Sequence, residues 1–263
     1  MFAYLNTFKF TDDPRVWESS TNSTETLMVG GENDLKPLRL VSWDEMTSDH
    51  AIERWCFSAP AGHTLERIRA DAADPDAGPD AEVLSAAFAF KNDWRWMHEL
   101  AVRDGFEKYG AAAYFSAGGK IAAIYVSHTG AMTYPTDGAA WAHAKWAFKC
   151  TVLTGLTLRE HLSHVHFVSA NTLTTALFEE LGTAHAIRRL MRPYTYATVS
   201  VNLAAFSSLA AKNAIFHRAV ALTWDACVTG FRASFEAWAF KTPANDLAAR
   251  GMGDVPGSLY PCV

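Results

Sequence analysis

Charge is scarce in this sequence. Asp, Glu, Lys and Arg make up 19% of its 263 residues, below the usual quarter. The 23 basic against 28 acidic side chains leave a formal charge of -5, too small and of the wrong sign for a surface that neutralises phosphates, so nucleic acid is not an expected partner. Cysteine is sparse as well: Cys56, Cys150, Cys227 and Cys262 show neither a CxxC pair nor the spacing of a disulfide framework. They read as buried or free thiols in a reducing compartment, and the expected location is cytoplasmic. Met1 to Phe10 followed by Thr11-Asp12-Asp13-Pro14 carries no signal-peptide pattern. No stretch is continuously apolar over the ~18 residues of a membrane span. GxSxG, a Walker loop and a strand-borne GxGxxG are all missing, and Gly251-Met252-Gly253 lacks a strand before it.

What is present is apolar: hydrophobic residues are 49% and aromatic ones 13%, which excludes intrinsic disorder. At about 150 residues per domain the length allows one large domain or two small ones. Residues 1–46 are polar and turn-rich, with Ser19 to Thr24 and Gly30 to Asp34 as clusters, and read as an irregular segment ahead of a body at 47–263. Ser48-Asp49 caps a helix through Ile52, Trp55 and Cys56 that Pro60 and Gly62 stop. The acidic stretch Asp71 to Asp80, with Pro75, Gly78 and Pro79, reads as an exposed loop.

Between Tyr114 and Val126 two apolar runs flank Gly118-Gly119, the mark of a hairpin. From Thr136 the periodicity is helical: around Trp141 to Phe148, Leu158 to Phe178, Ala186 to Met191, Tyr194 to about Lys212, and Phe216 to Phe235. The fold class is therefore mainly α, with a small hairpin or sheet near 114–126. Two of the helical stretches, His161 to Phe178 and Pro193 to Ala211, hold no Asp, Glu, Lys or Arg. They are expected to be buried on all sides, and so many neighbours are needed that the body reads as incomplete or oligomeric.

Within the first of these, His161, His164 and His166 place three of ten histidines in six residues. Buried imidazoles cost several kcal/mol unless hydrogen-bonded or metallated. The spacing is not HExxH, and on an α-helix His161 and His166 lie about 140° apart, too far to share an ion. A π-turn would return them to one face, and such turns concentrate at functional sites. The alternative is three core histidines bonded to backbone or water.

The order of features resembles the catalytic domain of lipoxygenases. Trp141-Ala142-His143-Ala144-Lys145 is similar to the family's Trp-x-x-Ala-Lys helix, and eleven residues on, Leu156 stands where the first of three histidines spaced by five is usual. His161 and His166 fall on the second and third. His185-Ala186-Ile187-Arg188-Arg189-Leu190-Met191 resembles His-Pro-x-x-x-Leu-Leu, Val201-Asn202 an Ile-Asn pair, and Asp246-Leu247-Ala248-Ala249-Arg250-Gly251 with Pro256 and Tyr260 the family's later Asp-Leu-x-x-Arg-Gly and Pro-x-x-x-Tyr. Gly119 to Ile124 is similar to a strand, and Ser48-Asp49 with Arg54 to an early helix. Val152, Tyr194 and the run Val168 to Thr172 depart from the pattern.

The resemblance implies part of the large helical lipoxygenase domain, with His161 and His166 as ligands of non-haem iron, Asn202 and His185 as candidates for the shell behind them, and Ala205 as the residue that steers O2. It implies polyunsaturated fatty acid and O2 as substrates and a hydroperoxide as product, with peripheral membrane contact. The family's other iron ligands, a His, an Asn or His four residues later and a terminal Ile carboxylate, have no counterpart here, so a missing C-terminal half is expected. The alternative is a truncated or split homologue that binds lipid or a partner without turnover.

Overall fold

The computed structural model describes residues 48–58, 60–68 and 88–254, all within one unit of the chain, Met46–Val263. The irregular segment expected over 1–46, the acidic loop at 71–80, Cys262 and the Pro256 to Tyr260 motif lie outside them.

Helix α1, Asp49–Ser58, starts where Ser48 Oγ accepts the Ala51 amide at 3.1 Å. Its Phe57 meets Phe90 and Phe115 edge to face, at centroid distances of 5.5 and 5.2 Å, and so lies on the sheet. The sheet is an antiparallel meander in chain order: β1 Leu65–Arg67, β2 Phe90–Asp93, β3 Ala111–Phe115, β4 Ile121–Val126 and β5 Ala131–Thr133. The hairpin expected near 114–126 is β3–β4. Gly119 supplies its positive φ of 73° while its amide bonds to Ser116 O. Strands β1, β2 and β5 were not legible because they are too short for alternation to register.

Helix α2, Ala139–Gly155, packs on β3 and β4. It passes without a break into a π-helix, Leu156–Ala170, and then into α3, Asn171–Glu179. Two segments matched separately by sequence meet here: Asp49 Oδ1 accepts Trp141 Nε1 at 3.0 Å and Lys145 Nζ at 2.8 Å. A third is tied to β1, because Arg250 binds Asp246 at 2.8 Å and donates to the Leu65 carbonyl at 2.7 Å. Arg250 follows α8, Pro243–Ala249.

The remaining helices are α4 Ala186–Thr195, α5 Thr198–Ser208, α6 Ile215–Ala219 and α7 Trp224–Ala237. The helix expected from Tyr194 to about Lys212 starts later, at Thr198, and the one expected from Phe216 to Phe235 is divided. Ala197 takes a left-handed φ of 56° between α4 and α5, a conformation that an Ala-rich pattern does not announce. Between α6 and α7 the backbone leaves the helix to bridge Leu222 to Val102.

Burial also departs from expectation. On α5 only Asn202 is buried, while Leu203 is 72% and Phe206 57% exposed. On α4, Leu190 and Tyr194 are 69% and 78% exposed. The uncharged stretch on α5 is covered on one side, by the π-helix and α3, and open on the other, and the one from His161 to Phe178 likewise leaves Val165, Leu173 and Phe178 exposed. No helix among the described residues is long and apolar enough to cross a membrane.

Candidate metal centre

The whole histidine segment is π-helical over 15 residues, far more than the single turn the spacing requires. The hydroxyl of Ser163 follows the same wider step, donating to the Leu158 carbonyl five residues back at 2.9 Å. One consequence is direct: the rings of His161 and His166 lie side by side, centroids 4.8 Å apart and planes inclined by 38°.

Asn202, one of the two residues expected behind the pair, reaches it from α5. Its Nδ2 donates to the His166 carbonyl at 2.7 Å and to Asn171 Oδ1 at 2.8 Å, which leaves Oδ1 as the acceptor facing His166 Nδ1 at 3.0 Å. This contact suits a proton on His166 Nδ1, the tautomer that presents the Nε2 lone pair to a ligand. Partial burial first, and the neighbouring His166 second, lower the pKa of His161. Neutral imidazole is the form that binds metals.

His185, the other expected partner, is exposed and caps α4, its Nδ1 accepting the Ile187 amide at 3.2 Å. It hydrogen-bonds to neither imidazole. Ala205 lies one turn beyond Asn202 on α5 and is half-buried. At this spacing the two share a helix face, and the adjacent Phe206 packs edge to face on Phe167 of the π-helix at 5.5 Å.

His164 turns elsewhere. Its Nδ1 faces Glu160 Oε2 at 3.2 Å and its Nε2 the Ser234 carbonyl of α7 at 2.9 Å. Both partners are acceptors, an arrangement that favours the doubly protonated ring. The Glu160 bond, outweighing burial, raises its pKa accordingly. Burial alone would raise that of Glu160, but the bonds from His164 and His63 and the Arg159 charge prevail and hold the carboxyl far below its usual range. Glu160, Arg159, His63 and Asn171 are the site residues that sequence reasoning missed. The only sequence signal was the acid-to-histidine spacing of four between Glu160 and His164.

Two side-by-side imidazoles, one with its Nδ1 facing the Asn202 amide oxygen, fit half of a non-haem metal site. The described residues hold no group of three or more His, Cys, Asp or Glu able to bind a metal.

Comparison with known proteins gives no matching family model and no matching curated protein. Solved structures do match. A manganese lipoxygenase is 19% identical with a TM-score of 0.67 over 81% of this chain and 41% of its own. The manganese lipoxygenase of Gaeumannomyces graminis is 16% identical with a TM-score of 0.67, over 89% and 48%. A coral 8R-lipoxygenase is 17% identical with a TM-score of 0.66, over 83% and 36%. The chain thus spans less than half the length of each. With its mostly helical body and small antiparallel sheet, this chain has the fold of part of a lipoxygenase catalytic domain.

Proposed function

We propose that this chain is part of a lipoxygenase-type dioxygenase that forms hydroperoxides from polyunsaturated fatty acids and O2, with His161 and His166 as two of the metal ligands. The observation that carries the reading is the ring pair at 4.8 Å on a π-helix. Non-haem iron, or the manganese for which two of the similar structures are named, would supply the one-electron chemistry that removes hydrogen from a bis-allylic carbon.

The chain's own residues hold and orient. Asn202 fixes the tautomer and angle of His166, and the uncharged imidazoles bind metal without cancelling its charge. The remaining ligands are assigned to polypeptide outside this chain, which would also cover the open faces of α4 and α5. A cytoplasmic location and peripheral contact with fatty-acid-bearing membranes belong to the same proposal. A second reading, binding of lipid or a partner without turnover, is favoured by the described residues holding no group of three or more His, Cys, Asp or Glu able to bind a metal.

The test is metal content and O2 uptake on a polyunsaturated fatty acid, measured for this chain alone and for a form extended beyond Val263. Metal and uptake in the extended form, both lost in His161→Ala and His166→Ala and kept in His164→Ala, are the expected result. Equal metal loss in all three variants removes the assignment, and a metal-free, inactive extended form favours the second reading.

A further inference from the structure

A long π-helix needs to be held in place, because such helices otherwise occur mostly as single turns inside α-helices. The residue before His161 is the meeting point of the contacts that could do so. Glu160 Oε1 accepts Arg159 Nε at 2.8 Å, and its Oε2 faces His164 Nδ1 at 3.2 Å and His63 Nε2 at 3.4 Å.

Each of these partners is anchored outside the helix. The Arg159 guanidinium lies 5.1 Å from the Trp94 ring and 4.9 Å from the Trp96 ring, and Trp94 is fully buried. His164 continues to the Ser234 carbonyl on α7. His63 sits in the short helical turn Gly62–Thr64 ahead of β1. One carboxylate thereby links the π-helix to three separate elements.

We propose that Glu160 is a positioning residue for the histidine pair, fixing the rotation of the π-helix so that the rings of His161 and His166 face one point. A return to α-helical winding turns the two about 140° apart and pulls Glu160 and His164 from anchors that do not move with the helix. The metal reading enters only the second arm of the test.

In the full chain carrying labelled histidine, ring protons of His161 and His166 are expected to show mutual cross-relaxation by NMR. In Glu160→Gln this cross-peak disappears while amides of the sheet keep their protection from exchange. Should Glu160→Gln fail to fold, His63→Gln, which removes only the outermost partner, is expected to weaken the same cross-peak. With Zn(II) alone as the probe, both wild-type rings respond together, and Glu160→Gln lowers the affinity by about tenfold or more. Unchanged ring cross-peaks in both variants overturn the proposal, whatever the zinc result. A wild type that shows the cross-peak but ignores zinc removes the metal reading and leaves Glu160 to be judged by the cross-peak.

Discussion

Asn202 holds His166 at two points, its Oδ1 3.0 Å from the ring Nδ1 and its Nδ2 donating at 2.7 Å to the carbonyl of the same residue. Asn202 is 3% exposed, so its own side of each bond is shielded from water. A histidine gripped at ring and backbone has little freedom left in the direction of its remaining nitrogen.

Replacing Asn202 by Leu should leave the His166 carbonyl, its Nδ1–H and Asn171 Oδ1 without this partner. Burying such groups unpaired costs about 1–3 kcal/mol, visible as a lower urea midpoint. Zn(II) affinity of the histidine pair should fall about 10- to 100-fold. Asn202→Asp keeps the acceptor for Nδ1 and loses the donor, so it should fall between. Wild-type zinc affinity in Asn202→Leu would show that the tautomer is set by something else.

Gly155, the last residue before the π-helix, has no room for a side chain. A Cβ there would stand 2.5 Å from Trp94 Cζ3 and 2.8 Å from Met97 Sδ, and both of those residues are fully buried. Gly155→Ala is expected to destabilise the fold by about 1–3 kcal/mol through overpacking, against little change in Gly182→Ala, where a Cβ meets nothing within 4 Å. Denaturant midpoints of the two variants decide the matter.

If the proposed function holds, Ala205 is expected to bear on product handedness. A methyl at this place would block O2 at one end of the diene and a glycine would open that end, and the resemblance pairs Ala with S products. The expected outcome is S hydroperoxide from the unmutated protein and a shift toward R in Ala205→Gly, read by chiral-phase chromatography. Mainly R product from the unmutated form counts against the assignment.

His217 should make stability depend on pH. Burial first, then the Arg103 and Lys212 charges, lower its pKa, and its Nδ1 accepts the Asn213 amide at 2.9 Å, a bond that protonation there would remove. The unfolded chain takes up this proton near pH 6.5 and the folded one only at lower pH, so the stabilisation is complete above about 6.5 and is lost as pH falls toward the folded value, with a slope of at most about 1.4 kcal/mol per pH unit from one group. His217→Asn should flatten the decline between pH 7 and 5 in denaturant titrations. An equally steep decline in the variant would assign the dependence to other groups.

The helices, the β3–β4 hairpin and the histidine spacing were legible in the sequence because each rests on local chemistry. Ser48 caps, Gly119 turns, and an i, i+5 pair can share a face only if the winding changes. What local chemistry could not supply is the long-range part. Ala197 is left-handed with no glycine to announce it, and Leu222 leaves the helical pattern because Val102 offers it a bridge. The uncharged α5 was expected inside and lies at the surface, since composition records how apolar a helix is and not how many neighbours reach it. Likewise the spacing of five and the resemblance set His161 and His166 apart from His164, but not the partner each ring takes. Tertiary structure supplies these partners, because Asn202 and Ser234 arrive from other helices and take up different rings. The residue types were set by the sequence, and the partners that give each ring its proton and direction were set by packing between elements 36 and 70 residues apart.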